Sequence, residues 1–374
     1  MYFDLTDEQQ AIKSTAHDFL ASRFKSERIR EIAASEDGSD AAGWREMAEL
    51  GWTGLAVPEE WGGQGLGIVE LAILFEEMGY ALATSPLFSN TIAGLALTLC
   101  GSDDQRERYL RPLAAGERRG TPALWDAGST ATPGAFAMEA QADGADTILS
   151  GEKILVPDAA SADFFLVATS DGHRHLVDRA AAGVSVRAEE SIDATRRLST
   201  VSFDGVRVAA GDTLPASGSE YEHVFDRLCV ALAAESTGIA QRTLDMAVEY
   251  AKDRQQFGRP IGAYQAVSHR CAQMLLETEN VRSLVYGAAW AADAEPESLP
   301  RAASMAKAYA SDAGWRVPHA SIQVHGGIGF TWEHDLHFFL KRGRANAAMF
   351  GDARWHRERV AASVFAGARA PASS

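Results

Sequence analysis

The first third of the chain places its apolar residues with the period of an α-helix. Leu5, Ile12 and Phe19 recur at helical spacing, and Thr6 stands where the N-cap of a helix is expected. Apolar stretches of similar character continue to about residue 118. We therefore predict an all-α N-terminal domain over residues 1–118, with helices over 4–19, 68–78 and 90–99.

A different pattern begins near residue 119. Short runs rich in β-branched and aromatic residues alternate with turn residues, as in Val201-Ser-Phe-Asp-Gly-Val-Arg-Val. Such short runs between turns are typical of the strands of a small β-domain. We therefore predict a central β-barrel or β-sandwich domain over residues 119–220, with strands over 147–150, 153–157, 164–168 and 201–208.

From residue 221 the helical period returns and continues almost to the end of the chain. Long helices joined by short connections favour a bundle. We expect an α+β fold that ends in a C-terminal four-helix bundle over residues 221–374. The four helices are predicted over 222–252, 263–293, 298–325 and 335–365.

The negative net charge of the chain argues against some classes of binding partner. The 374 residues carry a formal net charge of −16, whereas nucleic acids and anionic membranes attract basic surfaces. The N-terminus lacks the basic-then-apolar pattern of a signal peptide, and the longest apolar stretch, around residues 92–100, is too short to span a bilayer. We expect a cytoplasmic protein that binds neither nucleic acid nor membrane.

Metal and disulfide sites are not indicated. The three cysteines, Cys100, Cys229 and Cys271, are widely spaced and form no CxxC pair. Two histidines and two acids crowd into residues 333–337, but an exposed polar turn explains that segment better than a metal site. We therefore predict no bound metal.

Two short segments carry groups suited to a phosphate-bearing cofactor. Arg254 offers a forked cation for a diphosphate, and Phe257 offers a flat apolar face for a ring. Glycines let the backbone approach a ligand closely, although a glycine run can equally serve a loop's own turns. The candidate cofactor-binding residues are Arg254, Gln256, Phe257 and Gln265 in the first segment and Gln323, Gly326 and Gly327 in the second.

Taken together, these segments resemble the acyl-CoA dehydrogenase family, FAD-dependent enzymes that desaturate acyl-CoA thioesters. The family carries an RxxFG…Q segment and a QxxGGxG segment at this separation. The resemblance extends over nearly the whole chain, since residues 54–63 and 75–79 are also similar to the family's N-terminal signatures.

The resemblance implies FAD as cofactor and an acyl-CoA as substrate. In the family, the arginine segment reaches a FAD held mainly by the neighbouring subunit, which implies an oligomer, a dimer or a dimer of dimers. It also implies an electron-transfer flavoprotein as acceptor, and a role in fatty acid or steroid side-chain catabolism.

The match is poor at the end that would hold the flavin ring. The family's TEPxAGSD-like loop corresponds to residues 123–132, where Thr-Glu-Pro is missing and Gly128-Ser129 is similar to the rest. In the family's K-x-W-I-T-N strand, Leu155 replaces the tryptophan and Pro157 replaces the threonine. Because proline has neither an N–H nor a hydroxyl, the usual contact to flavin N5 cannot form there.

The carboxylate that removes the α-proton is absent from its usual places. Phe350 stands where many members carry the glutamate of a Tyr-Glu-Gly-Thr loop, and Leu228 stands where other members place theirs. Neither side chain accepts a proton.

Two acids are candidate substitutes, and each has a second interpretation. Asp352 lies two residues beyond the loop position, but it could instead be a solvated acid paired with Arg354 or Arg357. Glu235 lies two helical turns after Leu228 in an apolar run, where burial would raise its pKa as a general base requires. It could instead be a buried partner of an arginine. Asp226 and Asp158 are weaker candidates.

These features leave several functions open. The first is FAD-dependent α,β-dehydrogenation of an acyl-CoA thioester in an oligomer with shared flavin sites, made of like or unlike chains. The second is a degenerate subunit that completes a FAD and acyl-CoA site in another chain. A flavin monooxygenase on the same fold and a binding role without redox chemistry are further alternatives. The sequence does not name the acyl group.

Overall fold

The computed structural model describes residues 4–35, 38–128, 134–214 and 218–368. The α-helices of these residues are α1 (Asp7–Arg23), α2 (Ser26–Ala34), α3 (Ala41–Glu49), α4 (Ile68–Tyr80), α5 (Leu87–Cys100), α6 (Asp103–Gln105), α7 (Arg111–Ala114), α8 (Gly218–Asp253), α9 (Gln265–Ala294), α10 (Leu299–His325), α11 (Leu336–Ala348) and α12 (Ala353–Ala368). The strands are β1 (Gly120–Ala123), β2 (Trp125–Asp126), β3 (Ala140–Asp143), β4 (Asp146–Pro157), β5 (Phe164–Ala168), β6 (Arg174–Asp178), β7 (Val184–Ala188), β8 (Leu198–Val208), β9 (Thr213–Leu214), β10 (Gln255–Gln256) and β11 (Arg259–Pro260).

The order of these elements confirms the predicted α+β fold, with helices first, sheets in the middle and helices at the end. By contacts the chain divides into two compact units. The first comprises Met1–Ser26, Ile68–Ala83 and Asp226–Ser374, and the second comprises Glu27–Gly67 and Thr84–Phe225. In the described residues, no helix combines the length and the apolar character that crossing a membrane requires.

The second unit contains the predicted β-structure as two sheets. One sheet has the strand order β1-β5-β6-β9, and the other has the order β2-β4-β8-β7 with β3 paired to β4. Side chains of both sheets meet in one apolar cluster, in which the rings of Phe165 and Phe203 lie edge to face at 6.3 Å. The strands predicted over 147–150, 153–157, 164–168 and 201–208 from short β-prone runs between turns are therefore confirmed by β4, β5 and β8.

Local sequence explains how the first helix begins. The Thr6 hydroxyl accepts from the backbone N–H of Gln9, and the Gln9 side chain accepts from the backbone N–H of Thr6. This reciprocal capping box satisfies two of the N–H groups that a helix start leaves without partners. The predicted helix is thus confirmed, and it begins at Asp7.

The prediction of one helix over residues 335–365 is wrong. The segment forms two helices, α11 and α12, separated by a turn over residues 349–352. Phe350 and Gly351 have φ values of 56° and 94°, which an α-helix does not allow, and the Asp352 carboxylate accepts from the N–H of Trp355 to start α12. Periodicity alone did not reveal this break, because apolar residues continue at helical spacing across it.

Glycines let two helices of the first unit approach each other to backbone contact. A Cβ atom at Gly79 of α4 would overlap the carbonyl oxygen of Glu235 of α8, and a Cβ atom at Gly238 of α8 would overlap the carbonyl oxygen of Glu76 of α4. The atoms in the way belong to the backbone, so a side chain at either glycine forces the helices apart.

We expect Gly238→Ala to destabilise the fold, because overpacking against a rigid backbone costs about 1–3 kcal/mol or more. The control is Gly287→Ala in α9, where an added Cβ meets nothing within 4 Å. An alanine there is expected to be neutral or to stabilise the helix by about 0.5–1 kcal/mol. Thermal unfolding monitored by circular dichroism measures both, and equal midpoints in the two variants would contradict the backbone contact.

Candidate functional site

The two predicted cofactor segments lie at the same end of the C-terminal helices. The second half of α8, the start of α9 and the end of α10 share one apolar cluster. On this cluster Tyr250 stacks on His325, with ring centroids 4.5 Å apart. Tyr250 lies one helical turn before Arg254, and His325 directly precedes Gly326. The structure therefore brings together segments that are far apart in sequence.

The first segment forms a small hairpin that exposes an aromatic ring. Strands β10 and β11 pair antiparallel on either side of Phe257, whose φ of 53° is the left-handed conformation that residues other than glycine rarely adopt. The Tyr264 hydroxyl donates to the carbonyl of Gln256 at 3.1 Å and supports the turn. As a result, the Phe257 side chain is 92% exposed.

Arg254 precedes this hairpin and is exposed. Its backbone is fixed, because its N–H donates to Tyr250 and its carbonyl accepts from Ile261. Among the described residues, the guanidinium group has no hydrogen-bond or ion-pair partner. Gln265, the first residue of α9, and Gln323, near the end of α10, are exposed as well. An exposed arginine and exposed amides on these two segments suit a polar, anionic ligand.

The glycines of the second segment differ in their structural roles. Gly326 has φ 65° and ψ −139°, which only glycine adopts readily. A Cβ atom at Gly326 or Gly327 would meet nothing within 4 Å, whereas one at Gly329 would lie 3.0 Å from His325. Gly329 therefore serves the packing of this chain. Gly327 has neither a positive φ nor a close neighbour, so its missing side chain leaves room for another molecule.

The surface that follows the glycines is unusually apolar. Ile328, Phe330 and Trp332 are 48%, 75% and 68% exposed. Large apolar side chains exposed together commonly mark a surface that another molecule covers. Together with Phe257, they make this end of the helices a candidate for contact with a ligand or another chain.

The β-domain position expected to hold the flavin ring does not offer the usual groups. Leu155 is 40% exposed and has a φ of 53°, at an irregularity in the pairing of β4 with β8. Pro157 ends β4, and its carbonyl accepts from the Thr121 hydroxyl at 2.6 Å. The proline has no group to donate. Of the loop motif, Gly128 is described, whereas Ser129 lies outside the described residues.

A buried ion pair that sequence reasoning missed lies beside this position. The Lys153 ammonium donates to the Asp126 carboxylate at 2.6 Å and to the carbonyl of Leu124 at 3.0 Å. The same carboxylate accepts from the N–H groups of Ala137 and Met138. Burial lowers the pKa of Lys153, and the hydrogen bond to Asp126 acts against that shift. The only signal for it in the sequence was an acid, Asp126, inside the segment that corresponds to the family's loop.

The geometry favours a structural interpretation of Glu235. The residue is 2% exposed, one carboxylate oxygen accepts from Arg342 at 2.7 Å, and the other accepts from Asn346 at 2.9 Å. Both oxygens are thus engaged with side chains of α11. A general base needs an oxygen that can reach the substrate proton, so this arrangement suits the buried partner of an arginine better.

Asp352 is the exposed acid among the candidates. One of its oxygens accepts from the N–H of Trp355 at 2.8 Å and caps α12. The arginines expected to pair with it bond elsewhere, Arg354 to Glu358 and Arg357 to Asp312. Asp352 therefore remains a predicted catalytic residue, and within the described ranges its second carboxylate oxygen has no hydrogen-bond partner.

The remaining positions are buried. Phe350 and Leu228, at the family's two base positions, are each 3% exposed. Asp226 is fully buried in an ion pair with Arg359, and Asp158 accepts from the Ser89 hydroxyl at 2.7 Å. Across the described parts of the chain, no group of three or more His, Cys, Asp or Glu side chains is placed to hold a metal ion.

Comparison with known proteins covers almost the whole chain. The family model "Acyl-CoA dehydrogenase, N-terminal domain" matches residues 6–117, and "Acyl-CoA dehydrogenase, C-terminal domain" matches residues 222–365. The chain is 31% identical over 362 residues to the acyl-CoA dehydrogenase IpdE2 of Mycolicibacterium smegmatis, covering 96% of this chain and 100% of the relative.

Two solved structures of complexes are also similar. A variant of the Tcur3481–Tcur3483 steroid ACAD matches with a TM-score of 0.88 at 32% identity, covering 97% of this chain and 99% of that one. The ChsE4–ChsE5 complex from Mycobacterium tuberculosis matches with a TM-score of 0.90 at 27% identity, over 100% of both chains.

Replacing Glu235 and Asp352 distinguishes their roles. Glu235→Ala removes the carboxylate that pairs with the buried Arg342 guanidinium, which is expected to cost about 3–5 kcal/mol of stability. Asp352→Ala removes a helix cap and is expected to cost about 0.5–2 kcal/mol. Thermal or urea unfolding of the assembled protein measures both losses. A Glu235→Ala protein as stable as Asp352→Ala would contradict the structural interpretation.

Proposed function

The chain belongs to the acyl-CoA dehydrogenase family, and from this premise we propose that it is one subunit of a hetero-oligomeric flavoenzyme. The enzyme desaturates an acyl-CoA thioester between its α and β carbons, and the flavin sites are shared between chains. The observation that carries the proposal is a contrast within one chain. The groups for a nucleotide diphosphate are present and exposed, whereas the flavin-ring and base positions hold Leu155, Pro157, Phe350 and Leu228.

At the nucleotide end, the residues present fit FAD. Arg254 would donate to the diphosphate, and Gly326 and Gly327 would let it approach the backbone. Phe257 would cover a ring, while Gln256, Gln265 and Gln323 would bond polar edges of the adenosine or ribityl chain. Since all of these groups are exposed on the isolated chain, a neighbouring subunit would complete the pocket around them.

The desaturation needs a carboxylate for the α-proton and donors for the thioester oxygen. When bound, FAD supplies the acceptor for the hydride that leaves the β carbon. Phe350 and Leu228 cannot accept the proton, and both oxygens of Glu235 are engaged. The unlike partner therefore supplies the base, and this chain supplies the nucleotide-binding end of a shared site.

Two further observations support an unlike partner. Phe257, Ile328, Phe330 and Trp332 are large apolar residues that are each exposed on the isolated chain, as residues covered in an oligomer would be. The similar Tcur3481–Tcur3483 and ChsE4–ChsE5 structures are each named for two different chains. By this analogy we propose a tetramer, a steroid or fatty acyl side chain as substrate, and an electron-transfer flavoprotein as electron acceptor.

One observation favours a second candidate, a homo-oligomeric dehydrogenase in which Asp352 is the base. Asp352 is exposed, and its capping bond to Trp355 occupies one oxygen only. In that case Asp352→Asn would abolish turnover while FAD binding stays unchanged. In the hetero-oligomer the same replacement would leave turnover close to that of the unchanged enzyme.

Co-expression tests the proposal. We expect the chain expressed alone to carry less than one FAD per protomer. Expressed together with the products of its chromosomal neighbours, it should give a yellow complex with a second, similar chain, whose flavin absorbance bleaches on addition of a suitable acyl-CoA. Native mass spectrometry and the visible spectrum measure composition and FAD content. A fully active, FAD-saturated homo-oligomer from this chain alone would exclude the hetero-oligomer.

Arg254→Ala tests the nucleotide end directly. A hydrogen bond to a charged group contributes about 1.5–3 kcal/mol, so the variant complex should bind FAD roughly 10- to 100-fold more weakly. The control is Arg301→Ala, which removes another exposed arginine, near the start of α10. Equilibrium dialysis with FAD fluorescence measures both affinities. Equal FAD affinity in the two variants would show that Arg254 does not contact the cofactor.

A further inference from the structure

The turn between α11 and α12 has a backbone that its own sequence does not prefer. Phe350 and Gly351 both have positive φ, at 56° and 94°, and a left-handed non-glycine residue costs of order 1 kcal/mol or more. The apolar periodicity of residues 335–365 predicts a continuous helix through this point. The cap that Asp352 provides is local, and side chains of α10 and α12 add further contacts that hold the turn.

Two buried side chains hold successive carbonyls of the turn. The Lys307 ammonium, from the middle of α10, donates to the carbonyl of Gly351 at 2.9 Å and to the Ser311 hydroxyl at 2.8 Å. Nε2 of His356 donates to the carbonyl of Phe350 at 3.0 Å, which fixes the tautomer as N–H at that position. The turn is thus clamped from α10 and from α12 at once.

Burying the Lys307 ammonium group at this position costs free energy of folding. It is 1% exposed, and within the described residues its ammonium is bonded to no carboxylate. Burial lowers the pKa of Lys307 to about 8, against smaller opposing effects of Cys229 and Asp352. Burial, followed by the Lys307 charge, also lowers the pKa of His356 to about 3. An apolar residue would suit the interior of α10 better, so the lysine needs another reason to be there.

We propose that Lys307 is a positioning residue that fixes the backbone of the Phe350–Asp352 turn at the edge of the acyl-CoA site. Its hydrogen bond to Gly351 prevents α11 from continuing into α12 and so keeps Phe350 buried and Asp352 exposed. The link to catalysis rests on the proposed function, because the turn stands where the family's Tyr-Glu-Gly-Thr loop carries the base. The clamp itself rests only on contacts within this chain.

Lys307→Met tests the clamp, because methionine fills the space of the lysine stem without donating. In the assembled complex we expect amide hydrogen exchange over residues 349–356 to rise at least tenfold, while the rest of α10 is unchanged. The thermal midpoint should stay constant or rise, since a buried charge is removed. The control is Ser304→Ala on the same helix, which loses a bond to Arg359 of α12 but has no bond to the turn. It should leave exchange over residues 349–356 unchanged.

Turnover separates a positioning role from a structural one. We expect Lys307→Met to lower kcat at least tenfold with KM changed less than threefold, and Ser311→Ala, which keeps the bond to Gly351, to lower kcat much less. Exchange over residues 349–356 that stays within twofold of the unchanged protein, or that rises equally along all of α10, would overturn the clamp. Raised exchange with unchanged kcat would overturn the positioning role. If no acyl-CoA is turned over at all, the proposed function fails, and the exchange experiment still decides the clamp.

Discussion

Helix α8 can meet α4 backbone to backbone only because Gly79 and Gly238 carry no side chain. The close approach turns Glu76 and Glu235, whose carbonyls form the contact, into buried residues that need partners. Glu76 finds Arg282 and Tyr286 of α9, and Glu235 finds Arg342 and Asn346 of α11. One steric constraint thus links four helices, since the glycine contact joins α8 to α4, Glu76 joins α4 to α9, and Glu235 joins α8 to α11.

This arrangement separates stability from chemistry along the same helix. In the middle of α8, Glu235 serves the helix packing, and one end of α8 leads into the exposed hairpin that holds Phe257. The groups suited to a cofactor lie beyond the glycine contact, on residues that the core does not use. Exposed side chains there can vary without disturbing the packing, whereas Phe350 and Leu228, at the family's two base positions, are themselves buried.

The sequence predicted what depends on neighbours along the chain. The helical period of apolar residues predicted α8, α9 and α10, and short β-prone runs between turn residues predicted β4 and β8. The capping residue Thr6 predicted the start of α1. It could not predict what depends on distant partners. The apolar run around Glu235 indicated burial, but Arg342 lies 107 residues away, and Lys307, which bonds the turn that breaks the last predicted helix, lies 44 residues from Gly351. The role of Gly327 was likewise open until its surroundings were known.

The buried cations of this chain fall into two kinds, and the difference bears on function. Arg342 and Lys153 each bond a buried carboxylate, so each pair offsets its own desolvation. Lys307 bonds a hydroxyl and a carbonyl, so its desolvation is offset less. A residue with that cost persists where the shape it enforces matters more than its contribution to stability. The shape here is a turn with two positive φ values beside a lost base position. Lys307 therefore sets the shape of the turn at the position where Phe350 stands in place of the family's glutamate. Under the proposed function, that shape is what this chain contributes to the shared site.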